Sequence, residues 1–145
     1  MRFLLFDRVL HFEEGRRIVA SKAFSMQDEA LRGHFPRSPL VPGALLVEAM
    51  LQTLGWLILR THGFKVLPLF SMMEDATVAS DLAPGVLLQV EGELDSTHGK
   101  GSMGRAVVRH EGRVVASIGR VLFGHYPVPD PEALRRTFSV YGRLA

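Results

Sequence analysis

The chain has 145 residues, 47% of them hydrophobic and 22% charged, which is enough apolar material for one domain with its own core. It contains no cysteine, which excludes disulfides, thiolate metal sites and a cysteine nucleophile. A net charge of +2 and a pI near 9.4 fall well short of the dense basic stripe of a nucleic-acid binder, but they suit an acidic protein partner.

Residues 3–12 and 17–24 are rich in Phe, Leu and Val, and Glu13-Glu14-Gly15-Arg16 between them predicts a hairpin turn. The opening MRFLLFDRVL gains charge too soon for a secretory leader, so a cytoplasmic protein is expected. Residues 25–42 are polar and carry Gly33, Pro36, Pro39 and Pro42, which predicts an irregular loop with a helical turn at 28–31. Strong helix formers then fill 44–60, with Gly43 as the cap. This helix is apolar nearly all round, so other elements should cover it on most sides. Glu48 and Gln52 interrupt its apolar run, which marks it as a core helix rather than a bilayer span. Strands are expected at 66–79, 86–94, 102–110 and 113–123, separated by Asp81-Leu82-Ala83-Pro84-Gly85, Thr97-His98-Gly99-Lys100-Gly101 and Glu111-Gly112. Residues 125–145 form a tail with a short helix at 130–136, introduced by Pro131.

Two strands, one long buried helix and four more strands predict an α+β fold, a single domain in which one antiparallel sheet wraps one helix. Such a sheet leaves an edge open, and pairing two copies would cover it, so a homodimer is expected.

The most informative residue is Glu48, set among Leu45, Leu46, Val47, Ala49, Met50 and Leu51. A carboxylate in such surroundings must be paired, neutralised by a raised pKa, or kept for work. His34 lies on the loop before the helix, and Gly43 stands at the first amide, where unpaired N–H groups suit an oxygen that gains negative charge. A histidine near neutrality removes protons, while a carboxyl held in apolar surroundings donates one. Together these groups fit elimination next to a thioester or ketone carbonyl. The competing reading makes Glu48 a structural carboxylate capped by an arginine. Gln52, one turn on from Glu48, either orients that carboxyl or fills the wall. His11, His62, His98, His110 and His125 read as solvated, and none has metal-ligand spacing. Met72 and Met73 read as core or tunnel lining, and the later arginines as ordinary solvated charges.

HFPRSPLVPGALLVEAMLQTLG, residues 34–55, resembles the active-site segment of the β-hydroxyacyl-acyl carrier protein dehydratases, the hot-dog-fold enzymes of fatty-acid synthesis (FabZ-like). The matching positions are His34-Phe35-Pro36, Pro39, Pro42-Gly43 and Glu48-Ala49-Met50 with Gln52, and similarity extends over residues 4–123. The resemblance implies that His34 removes the α-proton of a 3-hydroxyacyl thioester, Glu48 assists departure of the hydroxyl as water, and the Gly43 amide holds the thioester oxygen. Phe35, Pro36, Pro42 and Gln52 are the substrate-binding candidates beside them. It also implies an acyl carrier protein as partner, no metal or organic cofactor, and a site whose His and Glu come from different subunits. Glutamate at 48 matches the simple dehydratases, whereas the related dehydratase-isomerases carry aspartate. The chain departs from the family pattern at Arg37, where glycine is usual. The alternatives to a dehydratase are a hot-dog thioesterase and a non-catalytic acyl-binding module.

Overall fold

In the computed structural model, which describes residues 4–141, the strands are β1 (Arg8–Glu13), β2 (Arg17–Phe24), β3 (Val66–Val78), β4 (Val86–His98), β5 (Gly101–His110) and β6 (Arg113–Pro127). They form one antiparallel sheet in the order β1-β2-β4-β5-β6-β3, and the long helix α1 (Gly43–Thr61) packs against it. This is the expected α+β arrangement of a sheet wrapped around one helix.

The tight turns follow from residue type. Glu111 and Gly112 both take positive φ, 49° and 80°, as a two-residue hairpin between right-twisted strands requires. The β4–β5 turn shrinks to Gly99-Lys100, because the pairing continues past a bulge at Leu94/Ser96 to His98↔Gly101. Both strands are therefore longer than the sequence suggested.

Leu46, Met50, Leu54, Leu57 and Ile58 of α1 are fully buried against Ile18, Leu88, Val90, Val108, Ile118 and Val121 of the sheet. Each such side chain stabilises the fold by roughly 2 kcal/mol relative to exposure. Gly92 sets how close helix and sheet come, since a Cβ there would lie 2.8 Å from Leu54 Cδ2. Among the described residues α1 is the one helix long and apolar enough to cross a membrane, and its buried face lies on the sheet instead.

Three expectations are corrected. The first strand begins at Arg8, not near the start of the chain; Phe3 lies outside the described residues. Leu5 and Phe6 are buried beneath α1 rather than in the ladder, because the Leu5 N–H donates to Gln52 Oε1 (2.9 Å) on the helix. Second, Met72 and Met73 are not core: β3 is an edge strand, and both are exposed along it with Leu69, Phe70 and Val78. Third, the tail is more ordered than predicted. β6 runs to Pro127, and α2 spans Pro131–Tyr141, begun by an Ala133 N–H bond to Asp130 Oδ1 (3.0 Å). Phe138 of α2 is buried, with ring centroids 5.1 Å from Trp56 and 5.6 Å from Phe64.

Candidate active site

The loop carrying His34 is built from backbone hydrogen bonds. Buried Leu31 ends a single 3-10 turn (Glu29–Leu31); the His34 N–H bonds back to the Leu31 carbonyl (3.1 Å), and the Leu40 N–H bonds to the His34 carbonyl (2.8 Å). The His34 ring is held by the same partner, with Nδ1 3.1 Å from the Leu40 carbonyl oxygen. A carbonyl only accepts, so Nδ1 carries a proton, and in the neutral ring the lone pair is on Nε2, the tautomer a general base needs. The His34–Phe35 peptide is cis, and the two rings lie 4.6 Å apart. Phe35, Pro36 and Arg37 are exposed and His34 is half-buried.

Val41 ties the end of this loop to the Leu82 carbonyl (2.8 Å), and the chain enters α1 through Pro42. The helix begins at Gly43 itself, with Pro42 in the capping position and no side chain bonded to the first turn. Its leading amides therefore remain available as donors, carrying the positive end of the helix dipole. Gly43 has a packing role as well, since a Cβ there would meet Val78 Cγ2 at 2.8 Å.

Glu48 is half-buried rather than sealed in apolar packing. Its Oε1 accepts from Gln52 Nε2 (3.0 Å), and Gln52 Oε1 accepts from the Leu5 amide. The carboxyl is thus fixed through an amide relay ending on the backbone. No arginine pairs with Glu48 among the described residues.

Glu48 and Gln52 open into a cleft of about 330 Å³ between α1 and the β3–β6 side of the sheet, lined further by Trp56, Leu59, Leu67 and Phe70 among others. This is the low end of the range for small-molecule sites, and the lining is mostly apolar. His34, Phe35, Pro36, Pro42 and Gly43 do not line it. Of the sequence candidates, Glu48 and Gln52 thus meet at the apolar cleft, while His34 and Gly43 belong to the loop and helix tip outside its lining. The sequence reading missed Gly55, Trp56 and Leu59, which helical spacing from Glu48 could have found, and Leu67, Pro68 and Phe70, which reach the cleft only through the sheet pairing.

The remaining histidines correct another expectation. His11 and His98 are exposed, but His62 and His125 form part of a half-buried polar chain. His62 Nε2 lies 2.7 Å from Thr97 Oγ1, Thr97 Oγ1 lies 2.6 Å from Ser102 Oγ, and Ser102 Oγ lies 2.9 Å from His125 Nε2. Burial, then His98, lowers the His62 pKa; burial, then His62, lowers that of His125. Several later arginines are likewise not free charges. Arg17 and Arg109 flank Glu91 at 3.0 Å each, and Arg105 binds Glu93 (2.6 Å) on the same face of the sheet. Among the described residues no group of three His, Asp or Glu side chains is placed to hold a metal.

Residues 1–119 match the FabA-like domain family. The 3-hydroxyacyl-[acyl-carrier-protein] dehydratase FabZ of Caldicellulosiruptor bescii is 36% identical over 122 residues, 83% of this chain and 86% of that one. The enzyme of the same name from Symbiobacterium thermophilum is 42% identical over 93 residues, 63% of this chain and 66% of that one. Among solved structures, a Streptococcus mutans protein bound to acetyl CoA superposes with TM-score 0.69 at 14% identity, covering 90% of this chain and 95% of that one. A chain of a dehydratase heterocomplex from Xenorhabdus doucetiae gives 0.62 at 18%, covering 80% and 96%. At these identities the superpositions speak to the fold, which is the hot-dog fold.

Proposed function

The chain belongs to the FabA-like family, and we propose that it dehydrates 3-hydroxyacyl thioesters on acyl carrier protein to trans-2-enoyl thioesters in fatty-acid biosynthesis, with His34 and Glu48 as its acid-base pair. In this reading His34 Nε2 removes the α-proton, and the electrons move into the thioester carbonyl, whose oxygen is met by the Gly43 amide at the helix tip. The enolate then expels the 3-hydroxyl, which takes a proton from Glu48 and leaves as water. The observation that carries the reading is Glu48, held by Gln52 at the mouth of an apolar cleft, in a chain of this family.

Because His34 does not line the Glu48 cleft, the site is read as one shared between two copies. The unpaired edge of β3, with Leu69, Phe70, Met72 and Met73 exposed, supports a homodimer joined there. Exposed Arg32 and Arg37 flank His34 and would meet an acidic carrier protein, and the same reading puts the protein in the cytoplasm.

Purified protein should hydrate a trans-2-enoyl thioester without releasing free thiol; thiol release alone would instead identify a thioesterase. His34→Ala and Glu48→Gln should each lower kcat/KM by about a hundredfold or more while staying folded. Mixing the two inactive variants should restore part of the activity, since a mixed dimer holds one intact His–Glu pair. Full activity in either variant refutes the assignment, and no recovery on mixing refutes the shared site.

A further inference from the structure

The tip of α1 is gripped by the end of β3 and the loop after it. On one side the Val41 N–H donates to the Leu82 carbonyl (2.8 Å), and both residues are buried, so the bond is shielded from water. On the other side Gly43 rests on Val78, the last residue of β3. A Cβ on Gly43 would lie 2.8 Å from Val78 Cγ2, 3.3 Å from its Cβ and 3.7 Å from its Cγ1. A β-branched side chain is stiff at χ1, and turning it leaves its Cβ where it stands. Retreat of the strand is blocked as well. Val78 is paired with Ala116, and the next amide, Ala79 N–H, donates to the Val115 carbonyl (2.7 Å), both partners being buried residues of β6. The backbone of Gly43 does not itself require glycine. It is helical without a positive φ, and alanine is the better helix former. What glycine provides at 43 is room, and Val78 occupies it.

We propose that Val78 is the positioning residue for the Gly43 amide: the end of β3 fixes where the helix tip points, and glycine stands at 43 to admit the valine. The proposal rests on the dehydratase reading only for taking the Gly43 N–H as the group that meets the thioester oxygen. An oxyanion donor works over a narrow range, about 2.7–3.1 Å from the oxygen, and a misplacement of about 1 Å costs on the order of a hundredfold in rate. Carbon atoms in ordinary contact stand about 3.5–4.0 Å apart, so relieving a 2.8 Å approach needs a shift of about that size. A single methyl at 43 is therefore enough to misaim the tip. Val78 itself is 44% exposed, so shortening it opens no closed cavity in the core.

The test is a double-mutant cycle on the full-length protein, followed by enoyl-thioester hydration and by urea unfolding. Gly43→Ala should lower kcat about tenfold to a hundredfold with KM changed less than about twofold, and should lower the urea midpoint. Adding Val78→Ala should raise the kcat of Gly43→Ala by about fivefold or more and reverse the sign of the midpoint change, so that alanine at 43 stabilises once the opposing methyls are gone. Val78→Ala alone, which unseats the tip, should lower kcat about fivefold, whereas Val78→Thr, which keeps the branched shape, should stay within about twofold of the parent. Should Gly43→Ala fail to fold, the two Val78 variants decide the question by themselves. Additive effects across the cycle, or an unchanged kcat in Val78→Ala, overturn the positioning role. A midpoint that recovers in the double variant while kcat does not assigns the glycine to the substrate, which overturns it too. The two readings fail separately. A parent protein that hydrates nothing but shows the sign reversal refutes the dehydratase and leaves the seat of Gly43 on Val78 standing, while hydration with additive effects refutes the positioning role alone.

Discussion

Gln52 shows how much one amide decides. Its Nε2 donates to Glu48 while its Oε1 accepts from the Leu5 backbone, so the carboxyl is oriented by a relay that starts on a segment 47 residues away. Half of that relay was readable, because residues at i and i+4 share a helix face. The Leu5 half was not, since sequence placed that segment in a strand. Gln52→Leu removes both bonds at nearly constant volume. Steady-state kinetics should show kcat falling about tenfold to a hundredfold with KM changed little, the signature of a misplaced group. Chemical denaturation should show a loss of about 1 kcal/mol. A Gln52 that only fills the wall would lose the stability and keep kcat.

At the level of elements, the helix sits where it does because the sheet provides a bare strip beneath it. Gly92 is that strip: a methyl there would need Leu54 Cδ2, 2.8 Å away, to move, and Ile18 Cγ2 stands only 3.3 Å off. Gly92→Ala should therefore cost about 1–3 kcal/mol by overpacking, read from urea midpoints. In a Leu54→Ala background the same change should cost markedly less, because the opposing methyls are gone. Periodicity located α1, β2 and β3 nearly to the residue. It underestimated β4 and β6, whose ends carry polar and glycine residues that look like turns and stay paired only because a neighbouring strand is there to accept them. α2 was similarly truncated, since Phe138 becomes helical by docking on Trp56 and not by local propensity.

Across the molecule, His62 from the end of α1, Thr97 and Ser102 around the β4–β5 turn, and His125 of β6 close one end of the fold with a continuous polar chain. Both histidines have pKa values lowered from 6.5 by burial, so the unfolded chain binds protons there more readily than the native one. Their contribution to stability is therefore complete above pH 6.5, declines as pH falls below it, and levels off once the native rings are also protonated. Thermal unfolding across this range should show that decline, and His125→Gln should flatten it. An unchanged slope would place the titration elsewhere.

Composition, periodicity and one long motif determined the α+β class, the core helix and the family, and singled out His34, Gly43, Glu48 and Gln52 as candidates, because these depend on residue type and local spacing alone. Tertiary structure decided what those residues touch. The His34 tautomer is set by the carbonyl of Leu40, the Glu48 orientation by Leu5 through Gln52, the packing of Trp56 by Phe138 of the last helix, and the burial of His62 and His125 by a turn 35 residues from the first of them. Contacts of that kind join segments far apart in the chain, and a pattern with a period of two or 3.6 residues carries no information about which distant segment comes to lie alongside.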